Sequence, residues 1–216
     1  MAKLYFRYGA MNSGKSTGLL QAAFNYEERA QRVLLAKPAM DTKGDDLIVS
    51  RLGVTRSVDL LIPPEARLRE LYHRHATADP AGTLLEGLNH DDDAAPSAVK
   101  PVACLLVDEA QFLTPVQVDD LLRIAVLDDV PVLAYGIRTD FRTKAFPGSA
   151  RLMDLAHALE ELKTICRCGR KAVFNTRRQG EQIIFDGDQV AIDGADVWYE
   201  SLCAGCYLHA SGGRLG

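Results

Sequence analysis

Residues 9–16 read Gly9-Ala10-Met11-Asn12-Ser13-Gly14-Lys15-Ser16. This is the spacing G-x-x-x-x-G-K-S of a P-loop. The apolar run 4–8 predicts a strand and residues 14–30 predict a helix, so the turn between them can point consecutive backbone N–H groups at a phosphate chain. Lys15 can reach the β- and γ-phosphates, and the Ser16 hydroxyl is a candidate ligand of Mg²⁺. The stretch therefore predicts a nucleoside triphosphate site, with a glycine-rich turn that binds nothing as the alternative.

The order of segments over residues 1–163 predicts an α/β domain. Short apolar runs alternate with helical patterns, which is typical of βαβ units and a parallel sheet. The run 102–107 is continuously apolar, as expected of a parallel strand that is buried on both faces. The predicted strands are residues 4–8, 33–36, 102–107 and 130–136, and the predicted helices are residues 14–30, 116–127 and 149–161. We predict a RecA-like P-loop sheet with helices on both faces.

Two segments interrupt this alternation. Residues 41–56 mix charged side chains with Gly44 and Gly53 just after the second strand. We expect a mobile loop there that covers a ligand. Residues 79–101, which include Asp91-Asp92-Asp93 and Pro96, predict a surface excursion that is disordered in part.

Composition limits the kinds of partner. The 216 residues are 47% hydrophobic, which suits one substantial domain and a small appendage. The formal net charge of -4 and the pI of about 5.7 provide no basic surface for a nucleic acid, so we expect none as a partner. No apolar run approaches the roughly 20 residues that span a bilayer, and the first residues lack the apolar region of a signal peptide. We therefore expect a cytoplasmic protein with no membrane partner.

Residues 164–216 predict a second, small β-rich domain. The predicted strands are residues 171–177, 182–185, 189–192 and 198–201. A segment of about 50 residues buries too little surface to fold reliably alone, so a metal would meet a physical need. Cys166-x-Cys168 and Cys203-x-x-Cys206 suit tetrahedral Zn²⁺, and four thiolates would make the site closed and structural. Reduced thiols without a metal are the alternative, and Cys104 is interpreted as a core residue.

A pair of carboxylates closes the buried run 102–107. In parallel sheets ligands bind at the carboxyl ends of the strands, where Asp108 and Glu109 lie. Asp108 suits the acid that holds Mg²⁺ against the β- and γ-phosphates of a P-loop enzyme. Glu109 is then a candidate base for an acceptor hydroxyl or water. Two solvated acids at the start of a loop are the alternative.

Three segments and two cysteine pairs together resemble one enzyme family. They are Gly9-x-Met11-x-Ser13-Gly14-Lys15-Ser16-Thr17, Asp108-Glu109-Ala110-Gln111-Phe112, Tyr135-Gly136-Ile137-Arg138-Thr139-Asp140-Phe141, and the two cysteine pairs. The combination is similar to the thymidine kinases of the cytosolic, zinc-containing type (type II). The resemblance runs in order over nearly the whole chain, with the acidic excursion before Pro101 as its main unmatched part. A P-loop alone would not separate this family from many other NTPases.

The resemblance implies transfer of the γ-phosphoryl group of ATP, with Mg²⁺, to the 5′-hydroxyl of thymidine. It also implies that Glu109 is the base on that hydroxyl and that the chain forms a homotetramer. The implied ATP site comprises Gly9, Ala10, Met11, Asn12, Ser13, Gly14, Lys15, Ser16, Thr17, Asp108, Glu109, Ala110 and Gln111. The implied nucleoside site comprises Met11, Phe112, Ile137, Phe141, Val190, Ile192 and Tyr199, the last three on a lid from the small domain.

Lys43 and Asn175 are two further positions to compare with the family. Lys43 stands where the family often carries arginine, so a phosphate clamp there would lose bidentate geometry. Asn175 falls near a position from which related enzymes offer a polar contact to the base.

Two other classes of function remain open at this point. The segment Asp108-Glu109-Ala110-Gln111 also resembles the acidic box of helicases, which suggests a nucleic-acid-stimulated P-loop ATPase with a zinc ribbon. Such motors need two such domains and a basic track, for which this chain is too short and too acidic. The second class is a non-catalytic zinc-ribbon module joined to a nucleotide switch, which would bind ATP without an acceptor pocket.

Overall fold

The computed structural model describes residues 1–40, 46–78, 99–180, 182–185, 187, 189 and 197–215. Its elements are, in chain order, β1 (Leu4–Tyr8), α1 (Lys15–Glu27), β2 (Arg32–Pro38), β3 (Leu47–Val49), β4 (Thr55–Ser57), β5 (Leu60–Ile62), α2 (Leu68–Thr77), β6 (Val102–Val107), a short 3₁₀ helix (Ala110–Phe112), α3 (Pro115–Leu127), β7 (Val132–Gly136), α4 (Pro147–Leu155), β8 (Ala158–Glu161), β9 (Thr164–Ile165), β10 (Lys171–Ala172), β11 (Phe174–Gln179), β12 (Gln182–Ile184), β13 (Val197–Leu202) and α5 (Ala204–Ala210). Among the described residues, no helix is both long enough and apolar enough to cross a bilayer.

Six strands form one parallel sheet in the order β5-β2-β6-β7-β1-β8. The strand that precedes the P-loop, β1, lies between β7 and β8, and β6 lies between β2 and β7. The carboxyl ends of β1 and β6 therefore meet at one edge of the sheet, separated only by β7. This order brings residues 9–16 and the Asp108-Glu109 pair to the same place.

Two hydrophobic layers cover the sheet, one on each face. Successive strand residues point to opposite faces, so in β6 Leu105 packs in one layer and Leu106 in the other. The helix α1 covers one face through Leu19 and Ala23. The helices α2, α3 and α4 cover the opposite face, for example through Leu121 of α3. The prediction of a parallel P-loop sheet with helices on both faces is confirmed.

The predicted helix over residues 149–161 is wrong in its second half. The helix α4 ends at Leu155, and Ala158–Glu161 form β8, which pairs in parallel with β1 at the sheet's edge. The segment is rich in Ala, Leu and Glu, which have high helix propensity. Pairing with β1 outweighs this preference because it satisfies backbone groups that β1 would otherwise leave open at the edge, such as the Tyr8 carbonyl, which accepts from the Leu162 N–H at 2.7 Å.

The segment predicted as a mobile loop over residues 41–56 contains ordered structure. The strands β3 and β4 form an antiparallel hairpin, in which the Ser50 N–H donates to the Val54 carbonyl at 2.8 Å. Residues 41–45, which include Lys43 and Gly44, lie outside the described residues, as do residues 79–98 of the predicted excursion. The strand β5 and the helix α2 follow this hairpin and were not predicted.

Residues after Lys163 form short antiparallel strands around a small core. The strands β12, β11 and β13 make a three-stranded sheet, and β9 pairs with β10. The ring of Phe174 stacks on Tyr207 with centroids 4.9 Å apart, and Phe185 packs edge-on against Tyr207. The predicted strand 171–177 is interrupted at Val173, which divides it into β10 and β11. Of the predicted strand 189–192, residues 190–192 lie outside the described residues.

Candidate active site

The turn between β1 and α1 has the backbone conformation of a phosphate-binding loop. Asn12 and Gly14 adopt left-handed conformations, with φ of 65° and 77°. Gly9 is required by close packing, because a Cβ there would lie 2.4 Å from Ser13 Oγ and 2.6 Å from the Leu162 carbonyl oxygen. The loop leads into the N-terminus of α1, where unpaired N–H groups and the helix dipole favour an anion. The Ser13 hydroxyl oxygen is buried and has no hydrogen-bond partner in the described part of the chain, which suits a phosphate oxygen as its partner.

Lys15 and Ser16 lie at the start of α1 beside this loop. Lys15 is 8% exposed, and its ammonium donates to the Ala10 carbonyl at 3.0 Å. The Ser16 hydroxyl hydrogen-bonds to the Asp108 carboxylate. Hydroxyl and carboxylate oxygens are ligands that Mg²⁺ prefers, so the two residues predicted to hold that ion are adjacent and chemically suited to it.

Asp108 lies at the end of β6 and is 4% exposed. Burial raises the pKa of this carboxyl to about 7, and the neighbouring charge of Glu109 acts in the same direction. The hydrogen bond from Ser16, the bond from the Glu109 N–H at 3.0 Å and the charge of Lys15 oppose the shift. Ionisation of Asp108 therefore lowers the stability of the folded protein, and the charge of Lys15 offsets only part of this loss.

Gln111 connects Glu109 to the neighbouring strand β7. Its Nε2 donates to Glu109 Oε2 at 2.5 Å, and its Oε1 accepts from the Ile137 N–H at 3.1 Å. Gln111 is 2% exposed, and Gly136 makes room for it, since a Cβ there would lie 2.8 Å from Gln111 Oε1. The backbone of Ile137 thus fixes the amide, and the amide orients the Glu109 carboxylate. Sequence reasoning placed Gln111 in the ATP site only as part of its motif, because nothing in the sequence shows a bond to Ile137.

A cavity of about 880 Å³ joins these groups. The lining side chains come from the P-loop, the acid pair, the β3–β4 hairpin and β13. They are Met11, Asn12, Gly14, Lys15, Ser16, Thr17, Gly18, Gln21, Lys37, Leu47, Ile48, Val49, Arg51, Leu52, Asp108, Glu109, Ile137, Val197, Trp198 and Tyr199. The cavity therefore joins part of the predicted ATP site to three residues of the predicted nucleoside site, Met11, Ile137 and Tyr199. Five predicted ATP-site residues are not among the described residues that line it: Gly9, Ala10, Ser13, Ala110 and Gln111.

Other lining residues were not predicted from the sequence. Lys37, at the end of β2, is 1% exposed and faces the cavity together with Arg51 and Leu52 of the hairpin. Only the strand order reveals Lys37, because β2 lies beside β6 in the sheet. Trp198 is the only tryptophan of the chain and also lines the cavity.

The remaining predicted nucleoside residues lie elsewhere or outside the description. Phe112 and Phe141 are not among the described residues that line the cavity. Phe112 packs edge-on against Phe146, with centroids 5.6 Å apart. Phe141 is 2% exposed, and the guanidinium groups of Arg142 and Arg177 each lie 5.4 Å from its ring centroid. The predicted residues Val190 and Ile192 lie outside the described residues.

The four paired cysteines converge at one point. Their sulfur atoms, from Cys166, Cys168, Cys203 and Cys206, all lie within 4.8 Å of one another. Cys203 caps α5 by accepting from the Cys206 N–H at 3.5 Å. Four thiols at this separation fit the tetrahedral thiolate shell of zinc, so the cluster could hold a zinc ion. Cys104 is buried in the core beside α1, as predicted.

Known proteins resemble this chain over nearly its whole length. The family model described as thymidine kinase matches residues 2–80 and 82–207. The thymidine kinase of Idiomarina loihiensis is 45% identical over 99% of this chain and 100% of its own length. The thymidine kinase of Chromobacterium violaceum is 43% identical over 97% of this chain and 100% of its own length. That of Ruegeria pomeroyi is 42% identical over 98% of this chain and 96% of its own length.

Proposed function

The chain belongs to the thymidine kinase family and is an enzyme that phosphorylates thymidine, and from this we propose that it transfers the γ-phosphoryl group of ATP to the 5′-hydroxyl of thymidine. The products would be thymidine monophosphate and ADP. One observation carries the proposal. A single cavity is lined by the P-loop lysine, Lys15, by the acid pair Asp108 and Glu109, and by apolar and aromatic residues that suit a flat, neutral base.

The P-loop side of the cavity would hold the triphosphate. Backbone N–H groups of residues 9–17 and the Lys15 ammonium would bind the phosphate oxygens. The Ser13 hydroxyl, which has no partner in the described part of the chain, would donate to one of them. Ser16 and Asp108 would hold Mg²⁺, which when bound neutralises charge on the β- and γ-phosphates. Glu109, Ala110 and Gln111, which follow Asp108 in the chain, would complete the ATP site.

Glu109 would act as the base on the acceptor. The 5′-hydroxyl oxygen would attack the γ-phosphorus, its proton would pass to a Glu109 carboxylate oxygen, and ADP would leave with the electron pair of the broken P–O bond. The hydrogen bond from Gln111 supports this role because it fixes one carboxylate oxygen and leaves the other for the hydroxyl. Gln111 is therefore a positioning residue for the base.

The nucleoside would lie where the two parts of the chain meet. Met11, Ile137 and Tyr199 line the cavity and would contact the thymine ring. We retain Phe112, Phe141, Val190 and Ile192 as proposed nucleoside residues on the strength of the family motifs. Residues 1–163 would form the kinase domain, and residues 164–216 would form a zinc-binding lid over the nucleoside. The homotetramer is likewise proposed, and light scattering of the purified protein would test it.

The decisive experiment measures ADP formation with and without thymidine. We expect ADP release to depend on thymidine and to be indifferent to single-stranded DNA. Glu109→Gln should lower turnover by on the order of 10²-fold or more while ATP affinity is unchanged. The matched control is Glu65→Gln, because Glu65 is exposed and is not among the described residues that line the cavity. Near-normal turnover by the Glu109 variant would contradict its role as base, and DNA-stimulated, thymidine-independent ADP release would favour the ATPase alternative.

A further inference from the structure

Both backbone polar groups of Met11, in the middle of the P-loop, are hydrogen-bonded by side chains from the C-terminal β-rich sheet. The Met11 N–H donates to Asn175 Oδ1 at 2.7 Å. The Met11 carbonyl accepts from Ser201 Oγ at 2.6 Å. Asn175 and Ser201 face each other in the register of β11 and β13. One cross-strand pair therefore holds both sides of a single P-loop residue.

Further bonds make this contact rigid. The Asn175 amide also donates from Nδ2 to the Thr139 carbonyl at 2.9 Å, so it joins the segments that follow β1 and β7. Thr164 Oγ1, at the start of β9, donates to the Asn12 carbonyl at 3.3 Å. Asn175 and Ser201 are 3% and 8% exposed, so water competes little for these bonds. We call Asn175 and Ser201 the loop clamp.

The clamp acts on the part of the P-loop that has the least favourable backbone conformation. Asn12, the next residue, has a φ of 65°, a left-handed conformation that is uncommon outside glycine, although asparagine tolerates it better than most residues. The Ala10 carbonyl on the other side of Met11 accepts from the Lys15 ammonium. A shift of Met11 would therefore move both the N–H groups of the loop and the anchor of its lysine.

We infer that Asn175 and Ser201 are positioning residues that hold the P-loop in its phosphate-binding conformation, so that nucleotide affinity depends on the C-terminal sheet. This rests on the proposed function only in taking ATP as the ligand. Neither residue is among the described residues that line the large cavity, and both bond to the Met11 backbone, which favours an action through the loop. The apparent dissociation constant rises as the fraction of protein with a competent loop falls.

The test compares clamp variants with a matched control in the same strand. Asn175→Ala and Ser201→Ala each remove clamp bonds. Thr176→Val is the control, because Thr176 is fully buried next to Asn175 but its hydroxyl bonds to the Glu200 carbonyl at 2.9 Å, within the sheet. Amide hydrogen exchange of residues 9–17 in the ligand-free protein reports the loop itself. The dissociation constant for MgATP, measured without thymidine, reports the consequence.

We expect faster exchange at the P-loop in both clamp variants and not in Thr176→Val. MgATP should bind about tenfold more weakly to Asn175→Ala, which loses two bonds, and about threefold more weakly to Ser201→Ala. The control should stay within about twofold of the wild-type affinity. If Asn175→Ala does not fold, Ser201→Ala alone decides the question.

Two results would overturn the inference. One is unchanged exchange of residues 9–17 in the clamp variants. The other is faster exchange with unchanged MgATP affinity, since the clamp would then order the loop without serving binding. Failure of the proposed function has a different signature: the wild-type protein binds MgATP and the two variants show the clamp effects, yet the wild-type protein releases no ADP in response to thymidine.

Discussion

Replacing the buried Asp108 by asparagine should stabilise the ligand-free protein while it abolishes magnesium-dependent activity. Asp108 is 4% exposed, and burial together with the charge of Glu109 raises its pKa from 3.8 to about 7. Asparagine has nearly the shape of the protonated acid. Its Oδ1 can still accept from the Glu109 N–H and from Ser16.

The size of the effect follows from the two pKa values of Asp108. Between pH 4 and pH 7 the folded protein keeps a proton on Asp108 that the unfolded chain has released, so stability falls as the pH rises. Above pH 7 both states are ionised and the loss is complete. A shift of about 3 pKa units corresponds to about 4 kcal/mol, or about 10 °C in Tm for a chain of this size. Asp108→Asn should gain this amount at pH 8, but only about 2 kcal/mol at pH 5, where the unfolded chain has already released most of its Asp108 protons and the folded protein has not.

Thermal and urea unfolding of the magnesium-free protein, with its zinc retained, at pH 5, 6, 7 and 8 would measure this difference. Asp128→Asn is the control of opposite sign, because the hydrogen bond from Arg69, with a second from His73, lowers the pKa of Asp128. A lowered pKa stabilises the folded protein at neutral pH, so this control should be less stable than wild type at pH 8. The reasoning is refuted if Asp108→Asn is no more stable than wild type at pH 8, or if its advantage is the same at pH 5.

Three further changes test separate parts of the structure. Lys15→Met should weaken ATP binding by about 10- to 100-fold through loss of charge-assisted hydrogen bonds, whereas the exposed Lys3→Met should bind ATP normally; equal loss in both would contradict the P-loop assignment. Wild-type protein should carry one equivalent of zinc, and Cys168→Ser should lose it and melt at a lower temperature; less than about half an equivalent in intact protein would count against the site. Trp198 lines the cavity and is 47% exposed, so its fluorescence should change when substrate binds; constant emission at saturating substrate would show that the ligand lies elsewhere.

Local sequence patterns were sufficient where a single segment determines its own structure. The predicted strands 4–8 and 102–107 match β1 and β6 at both ends. In β6 the apolar residues are continuous between Pro101 and Asp108, as expected of a buried parallel strand, and in β1 aromatic and apolar residues predominate up to the glycine of the P-loop. The P-loop and the acid pair were likewise found by spacing alone. By contrast, residues 158–161 have a helical composition, and only the open edge of β1 makes them a strand.

Long-range contacts explain most of what the sequence did not predict in the site. Lys37 reaches the cavity because β2 lies beside β6, and Gln111 orients Glu109 because the Ile137 N–H fixes its amide. The hairpin β3–β4 contributes Arg51 to the cavity from a segment of mixed charge with little periodicity. None of these contacts has a local signature, since each joins segments far apart in the chain.

The position of β1 inside the sheet has a consequence for synthesis of the protein. β1 leaves the ribosome well before its partners at Val132–Gly136 and Ala158–Glu161, and the clamp on the loop that follows it lies later still, at Asn175 and Ser201. β1 therefore stays without its sheet partners while more than a hundred further residues are made. The phosphate loop is made long before the residues that hold it, so ribosomes that stop between the P-loop and residue 201 would release chains that have the whole P-loop sequence without its full support.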